Sequence, residues 1–184
     1  MNVLDVAENS VSAGATLTQI TLTIDTKQKL QTLVIADNGK GMSAEMLAKV
    51  TDPFCTSRTT RKVGLGLPLL KMAAEMAAEK TSDTHAIEST VGAGTTVTAT
   101  FTLGHIDLMP LGDITSTIAG LVQCNPDIDF VYTLSADTET FTLDTRELRT
   151  VLDGVSFAEP SVAIWVKEYL AENTESILKR SSVL

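Results

Sequence analysis

The segment Leu33-Val34-Ile35-Ala36-Asp37-Asn38-Gly39-Lys40-Gly41-Met42 decides how this sequence is read. An apolar, partly β-branched run ends on a carboxylate, and two glycines follow at once. Such a run favours a strand, and the glycines break it. A carboxylate fixed at a strand end can accept a hydrogen bond from an amino group on a flat base. The glycines let backbone approach a ligand closely. An Asp-Asn-Gly turn also occurs in ordinary hairpins. Here, however, the pattern after Gly41 is helical: Ser43 is placed to cap a short helix with Glu45 in its first turn and Met46, Leu47 and Val50 as its apolar face.

Reading outward from this segment gives the rest of the domain. Leu30 to Ala36 is one strand, and residues 16–25, alternating apolar and hydroxyl side chains with Leu17, Leu22 and Ile24 among the apolar positions, form its neighbour across a turn at Lys27 to Lys29. Residues 2–13 read as a helix, with Val3, Leu4, Val6, Ala7 and Val11 on one face and Gly14 as a left-handed cap. Asp5 and Asn9 are one turn apart on that helix. An amide oxygen is a neutral hard ligand for Mg, and a carboxylate can orient or deprotonate a water. By themselves the two also fit an ordinary polar helix face.

On the other side, Asp52-Pro53 stops the short helix, and residues 55–63 form a polar loop carrying Arg58, Arg61 and Lys62. Gly64-Leu65-Gly66-Leu67 then opens a helix that runs to about Lys80, with Pro68 in its first turn. Glycines at a helix start expose backbone N–H groups at the positive end of the helix dipole. The upstream bases can pair with phosphate oxygens. Two structural glycines in a loop would look the same. Thr84 to Thr90 reads as a strand, Gly92 to Gly94 as a tight turn, and Thr95 to Leu103 as a strongly alternating strand. This order predicts an α/β (α+β) sandwich, with a mixed, mainly antiparallel sheet and helices on one face.

Residues 104–112 read as a linker and 113–180 as a small acidic α+β module. Asp113 caps a helix carrying Ile114, Ile118, Leu121 and Val122. A hairpin of Ile128 to Leu134 and Thr138 to Leu143 turns around Ser135-Ala136-Asp137. A short helix from Thr145 to Asp153 stops at Gly154, and Glu159-Pro160 opens a last helix. This unit is expected to pack on the main sheet or on a partner. Trp165 and Tyr169 either pack against the module's own hairpin or anchor a partner.

The 184 residues carry a net charge of −9, which repels phosphate backbones and argues against nucleic acid as a partner. The charge is uneven: residues 1–103 hold 9 basic and 10 acidic side chains, residues 104–184 hold 5 and 13. The acidic part is therefore the expected seat of a protein partner. Cys55 and Cys124 match no metal-ligand spacing and read as free thiols. No apolar run reaches the ~18 residues of a membrane span. The chain is expected to be cytoplasmic, with no membrane contact.

Five of these stretches occur in the order of one superfamily. Asp5 to Ala15, with its Asn9-Ser10-x-x-Ala13-Gly14-Ala15 portion, resembles the asparagine box of the Bergerat-fold (GHKL) ATPases and kinases, and locally that of the mismatch-repair ATPases. Asp37 to Met42 resembles the first glycine box. Asp52-Pro53-Phe54-Cys55-Thr56-Ser57 resembles the segment leading into the ATP lid of histidine kinases, and Gly64 to Leu67 the second glycine box. Gly92-Ala93-Gly94-Thr95-Thr96 resembles the closing Gly-Thr segment. The resemblance spans about residues 1–103 and implies a histidine-kinase-like ATP-binding domain that takes ATP and Mg.

It also implies roles. Asn9 ligates Mg. Asp37 accepts from the adenine amino group with Thr95 in support, and Gly39, Gly41 and Met42 line the base pocket. Phe54, Arg58 and Lys62 belong to a short lid over about 51–63. Gly64, Leu65, Gly66 and Leu67 meet the phosphates. Asp5 stands where the ATPase members usually carry Glu, so hydrolysis is expected to be slow. Glu8, about 100° around the helix from Asn9, is expected to pack or pair elsewhere. The following 80 or so residues are too few and too acidic for the transducer of the mismatch-repair proteins. Neither His85 nor His105 lies on a long helix as a phosphoacceptor would, so the chain is not expected to be a complete sensor kinase. Three readings stay open: a slow ATPase, a protein kinase acting on His or Ser of a partner in trans, and a nucleotide-sensing module without turnover.

Overall fold

The computed structural model describes residues 3–50, 66–78, 84–108, 110 and 112–181. In chain order they form α1 (Val3–Ser12), β1 (Leu17–Asp25), β2 (Leu30–Asp37), α2 (Ala44–Val50), α3 (Gly66–Met76), β3 (His85–Thr90) and β4 (Gly94–Thr102). These are followed by α4 (Ile114–Cys124), β5 (Asp129–Ala136), β6 (Glu139–Asp144), α5 (Thr145–Leu152) and α6 (Pro160–Arg180). The six strands make one sheet in the order β3-β4-β2-β1-β5-β6. All neighbours are antiparallel except β1 and β5, which run parallel. The α/β sandwich expected from the sequence is therefore the fold observed.

Alternation dictates which side chains meet the helices. In β1 the buried set is Thr18, Ile20, Leu22 and Ile24; register carries this face to Leu33 and Ile35 in β2, Val97 and Ala99 in β4, and Tyr132 and Leu134 in β5. The opposite face carries half-buried or exposed hydroxyls, among them Thr21, Thr23, Thr32, Thr98 and Thr133. Val6, Leu70, Ile118, Val166 and Leu170 cover the apolar face from α1, α3, α4 and α6 within one continuous core. No described helix is long and apolar enough to cross a membrane.

Three local readings shift. The helix expected to reach Lys80 ends at Met76, because the Ala77 carbonyl accepts from the Thr102 N–H of β4 at 2.8 Å. A carbonyl bonded to the sheet cannot continue the helical ladder; residues 79–83 lie outside the described set. The hairpin turn falls at Asp137-Thr138 and not at Ser135 to Asp137, since β5 stays in parallel register with β1 through Ala136 opposite Ile24. Asp137 adopts φ +51°, and its carboxylate accepts from the Thr26 N–H and hydroxyl at 2.8–2.9 Å. Finally, the C-terminal unit, expected to pack on the main sheet or on a partner, joins the sheet edge to edge: its hairpin continues the main sheet beyond β1, while α4 packs beside α6 and α1. Asp113 caps α4 as expected, accepting from the Ser116 N–H at 2.9 Å. Hydrogen bonds from Ser116 and Thr115 hold the Asp113 carboxyl at about 2.

Candidate functional site

Asp37 ends β2 directly opposite Thr95 of β4, so both side chains project to the helical face. Its Oδ1 accepts from the Gly39 N–H at 2.8 Å and its Oδ2 from the Ser10 hydroxyl at 2.9 Å. Two donors fix the carboxylate, and each oxygen keeps a further lone pair for a ligand. Thr95 Oγ1 lies 2.9 Å from Ser89 Oγ, which in turn accepts from the Met42 N–H at 2.8 Å and donates to the Gly94 carbonyl at 3.0 Å. With its one hydrogen directed at Gly94, Ser89 takes the Thr95 hydrogen, and the Thr95 hydroxyl presents acceptor lone pairs.

The glycines are required by close backbone approach. At Gly41 (φ +64°) a Cβ would lie 2.0 Å from the Thr90 carbonyl oxygen; at Gly94 (φ +117°) it would lie 1.9 Å from that of Asp37. The loop after β2 is thus pressed against the β3–β4 turn. Asn38 ties the other side down: its Oδ1 accepts from the Thr16 and Leu17 N–H groups, both at 2.9 Å, and its Nδ2 donates to the Thr16 hydroxyl at 2.8 Å.

Between α1, the sheet and α2 lies a cavity of about 190 Å³. Asp37, Thr95, Asn9, Ser10, Ser12 and Lys40 supply its polar lining, and Val6, Ile35, Met42, Leu67 and Val97 are among its apolar walls. A slot with apolar walls and one fixed carboxylate suits a flat heterocycle carrying an exocyclic amino group. A second hollow adjoins it, bordered by Asp5, Glu8, Asn9 and Ser12 of α1 and by Cys124 and Asn125 at the end of α4. Asn9 and Ser12 border both. Gly66 starts α3 against α1, where a Cβ would meet that of Asp5 at 3.0 Å.

The sequence profile of the histidine kinase-, DNA gyrase B-, and HSP90-like ATPases matches residues 2–105. The chain belongs to this ATPase family. A putative NtrY-like sensor histidine kinase of Rickettsia conorii is 33% identical over 75 residues, which are 41% of this chain and 12% of that protein. The corresponding protein of Rickettsia prowazekii is 32% identical over the same length and shares. The chain thus matches only about an eighth of these curated relatives. Among solved structures, a topoisomerase IV ATP-binding domain of Francisella tularensis, in complex with a small-molecule inhibitor, covers 76% of this chain and 83% of its own at 14% identity and a TM-score of 0.40. The family is a nucleotide-binding one, and ATP is the nucleotide its ATPase members take.

Of the residues singled out in the sequence, Asn9, Asp37, Gly41, Met42, Leu67 and Thr95 come together around the cavity. Gly39 supports Asp37 from behind, and its own Cβ would meet Ala13 at 2.9 Å. Asp5 borders the adjoining hollow, and Glu8, expected to pack or pair elsewhere, is exposed at the same hollow. Phe54, Arg58, Lys62, Gly64 and Leu65 lie outside the described residues, as does Cys55. Sequence reasoning missed Ser10 and Ser89. Ser10 stands beside Asn9 in the quoted motif, but only tertiary structure aims it at Asp37. Ser89 has no sequence signal, because its role depends on strand register.

Proposed function

We propose that this chain binds Mg-ATP, with adenine in the cavity beside Asp37 and the triphosphate leading toward Asn9 and the start of α3. The observation that carries this reading is the Asp37 carboxylate, held by Ser10 and Gly39 in an apolar slot opposite Thr95. A spare lone pair on Asp37 accepts from the adenine amino group, and Thr95 accepts from a water bridging to the ring. Gly41 and Met42 flank the base. The backbone N–H groups at the start of α3, Gly66 and Leu67 included, face phosphate oxygens at the positive end of the helix dipole. The family resemblance assigns Gly64 and Leu65 to the phosphates and Phe54, Arg58 and Lys62 to a lid; all five lie outside the described residues.

Asn9 is the protein ligand to Mg. Mg is usually held by few protein ligands and mainly by substrate phosphates and water, so a single amide oxygen is a sufficient protein contribution. Bound there, the ion neutralises triphosphate charge. Asp5, one turn before Asn9, orients a water, but its carboxylate is one methylene shorter than the usual Glu. General-base help is worth about 10²–10⁴-fold, so hydrolysis is slow. Phosphoryl transfer to a His or Ser of a partner is the second reading, favoured by the local similarity to sensor histidine kinases.

Calorimetric titration with Mg-ATP tests the site. Asp37→Asn forfeits a charge-assisted hydrogen bond worth about 1.5–3 kcal/mol, so affinity is expected to fall roughly tenfold or more. Unchanged affinity sinks the reading. Incubation with γ-labelled ATP then separates the outcomes: free phosphate marks an ATPase, labelled added protein a kinase, and neither marks a nucleotide sensor.

A further inference from the structure

The last helix turns two aromatic rings outward beside the free edge of the sheet. Trp165 and Tyr169, one helical turn apart on α6, are 41% and 36% exposed. Their rings are stacked, with centroids 5.6 Å apart and planes 11° from parallel. Tyr169 also meets Phe141 of β6 edge-on, at 5.6 Å between centroids. That contact anchors the pair on the core and leaves an aromatic surface open to solvent.

Glu168 and Glu172 stand on the same flank of α6, within one turn of the two rings. Both are exposed, and no ion pair engages either among the described residues. Two of the bases on α6 are already paired: Lys179 with Glu175 and Arg180 with Glu139. β6 is the outermost strand, so among the described residues one side of its backbone has no neighbouring strand in the sheet. An open edge of this kind can take an added strand.

We propose that the outer flank of α6 and the edge of β6 form a docking surface for an extended basic polypeptide segment, one arginine or lysine of which lies over the Trp165–Tyr169 pair. Charge complementarity selects this occupant. A cation over the rings gains the ring quadrupole and two carboxylate counter-charges together. A planar guanidinium does so best, because it stacks and pairs at once. An apolar segment would cover Glu168 and Glu172 without a counter-charge, which is costly. An acidic segment meets direct repulsion, since residues 104–184 hold 13 acidic against 5 basic side chains. The surface stands apart from the nucleotide cavity, and its occupation is independent of the ATP reading.

Trp165 is the one tryptophan in the chain and reports on its own surface. The full chain, without nucleotide, is titrated with a capped peptide of alternating arginine and threonine while tryptophan emission is followed. A saturable change that weakens with added salt is expected. The double variant Glu168→Gln/Glu172→Gln, with its fold checked by circular dichroism, should bind about fivefold to tenfold more weakly. The proposal is overturned if the arginine peptide gives no saturable change, if the same peptide with glutamate for arginine binds as tightly, or if the double variant keeps the parent affinity.

Discussion

Replacing Gly92 and Gly94 by alanine, one at a time, separates backbone strain from close approach at the heart of the site. Both glycines have positive φ, +78° and +117°. A Cβ on Gly92 meets nothing within 4 Å. On Gly94 it would sit 1.9 Å from the Asp37 carbonyl oxygen, 2.8 Å from the carbonyl carbon and 3.0 Å from Asn38 Cα. Gly92→Ala therefore carries only left-handed strain, about 1–2 kcal/mol, offset by about 0.4–1 kcal/mol from a stiffer unfolded chain. The net loss is about 1 kcal/mol. In Gly94→Ala the oxygen contact must open by more than about 1 Å to reach ordinary van der Waals distance, and the atoms it meets are backbone of Asp37 and Asn38 that cannot swing aside. Strain of about 1–3 kcal/mol then adds to overpacking of about 1–3 kcal/mol. The sum, about 2–6 kcal/mol, is a large part of a typical domain's stability. Urea unfolding at a common slope reads both losses. Because the intruding methyl displaces Asp37, Gly94→Ala should also lose most of its ATP affinity when titrated as folded protein, while Gly92→Ala binds like the parent. Equal destabilisation of the two variants, or parent affinity in folded Gly94→Ala, refutes the reasoning.

Ser10→Ala removes a buried donor to Asp37; thermal unfolding should show a loss of about 1–3 kcal/mol, and calorimetry a weaker ATP affinity. Arg149 donates to Asp129 Oδ1 at 3.0 Å and the Pro126 carbonyl at 2.6 Å, and lies 4.9 Å over the Phe157 ring. Arg149→Ala should cost about 1–3 kcal/mol in urea unfolding, with Arg149→Lys restoring only part because an ammonium lacks the planar fork; full restoration by lysine contradicts this. Burial holds His85 below its ordinary pKa, Lys71 adds to the effect, and Glu75 opposes it. The unfolded chain therefore takes up a proton near about pH 6.5 that the folded protein does not. Stability should fall as pH drops below that value, and His85→Gln should flatten this slope; an unchanged slope excludes His85 as its source.

Most of the nucleotide end of the fold was legible in the residues themselves. The alternation in residues 17–25 fixes which side chains are buried, and the glycines at 41 and 94 announce backbone that no side chain could occupy. Asp37 was readable from its place at a strand end before two glycines, whereas Asn9 and Thr95 were singled out only through the ordered motifs of the family resemblance. Ser10 and Ser89 were not, since hydrogen bonds between residues 27 and 6 positions apart depend on how α1 lies on the sheet and on β3–β4 register. The same distinction separates the two halves of the chain. A hairpin at 129–144 is local information, carried by alternation and turn chemistry. That it lies parallel to β1 and extends the sheet to six strands is not, because strand pairing is chosen by which apolar faces can be buried together across a long connection. By itself, then, the sequence determined the order of the elements, the buried faces of the strands and the family of the site, while the expected apolar face of α2 holds no buried residue. Only the tertiary structure decided which elements became neighbours, for the physical reason that burial and register are properties of the assembled core and not of any one segment.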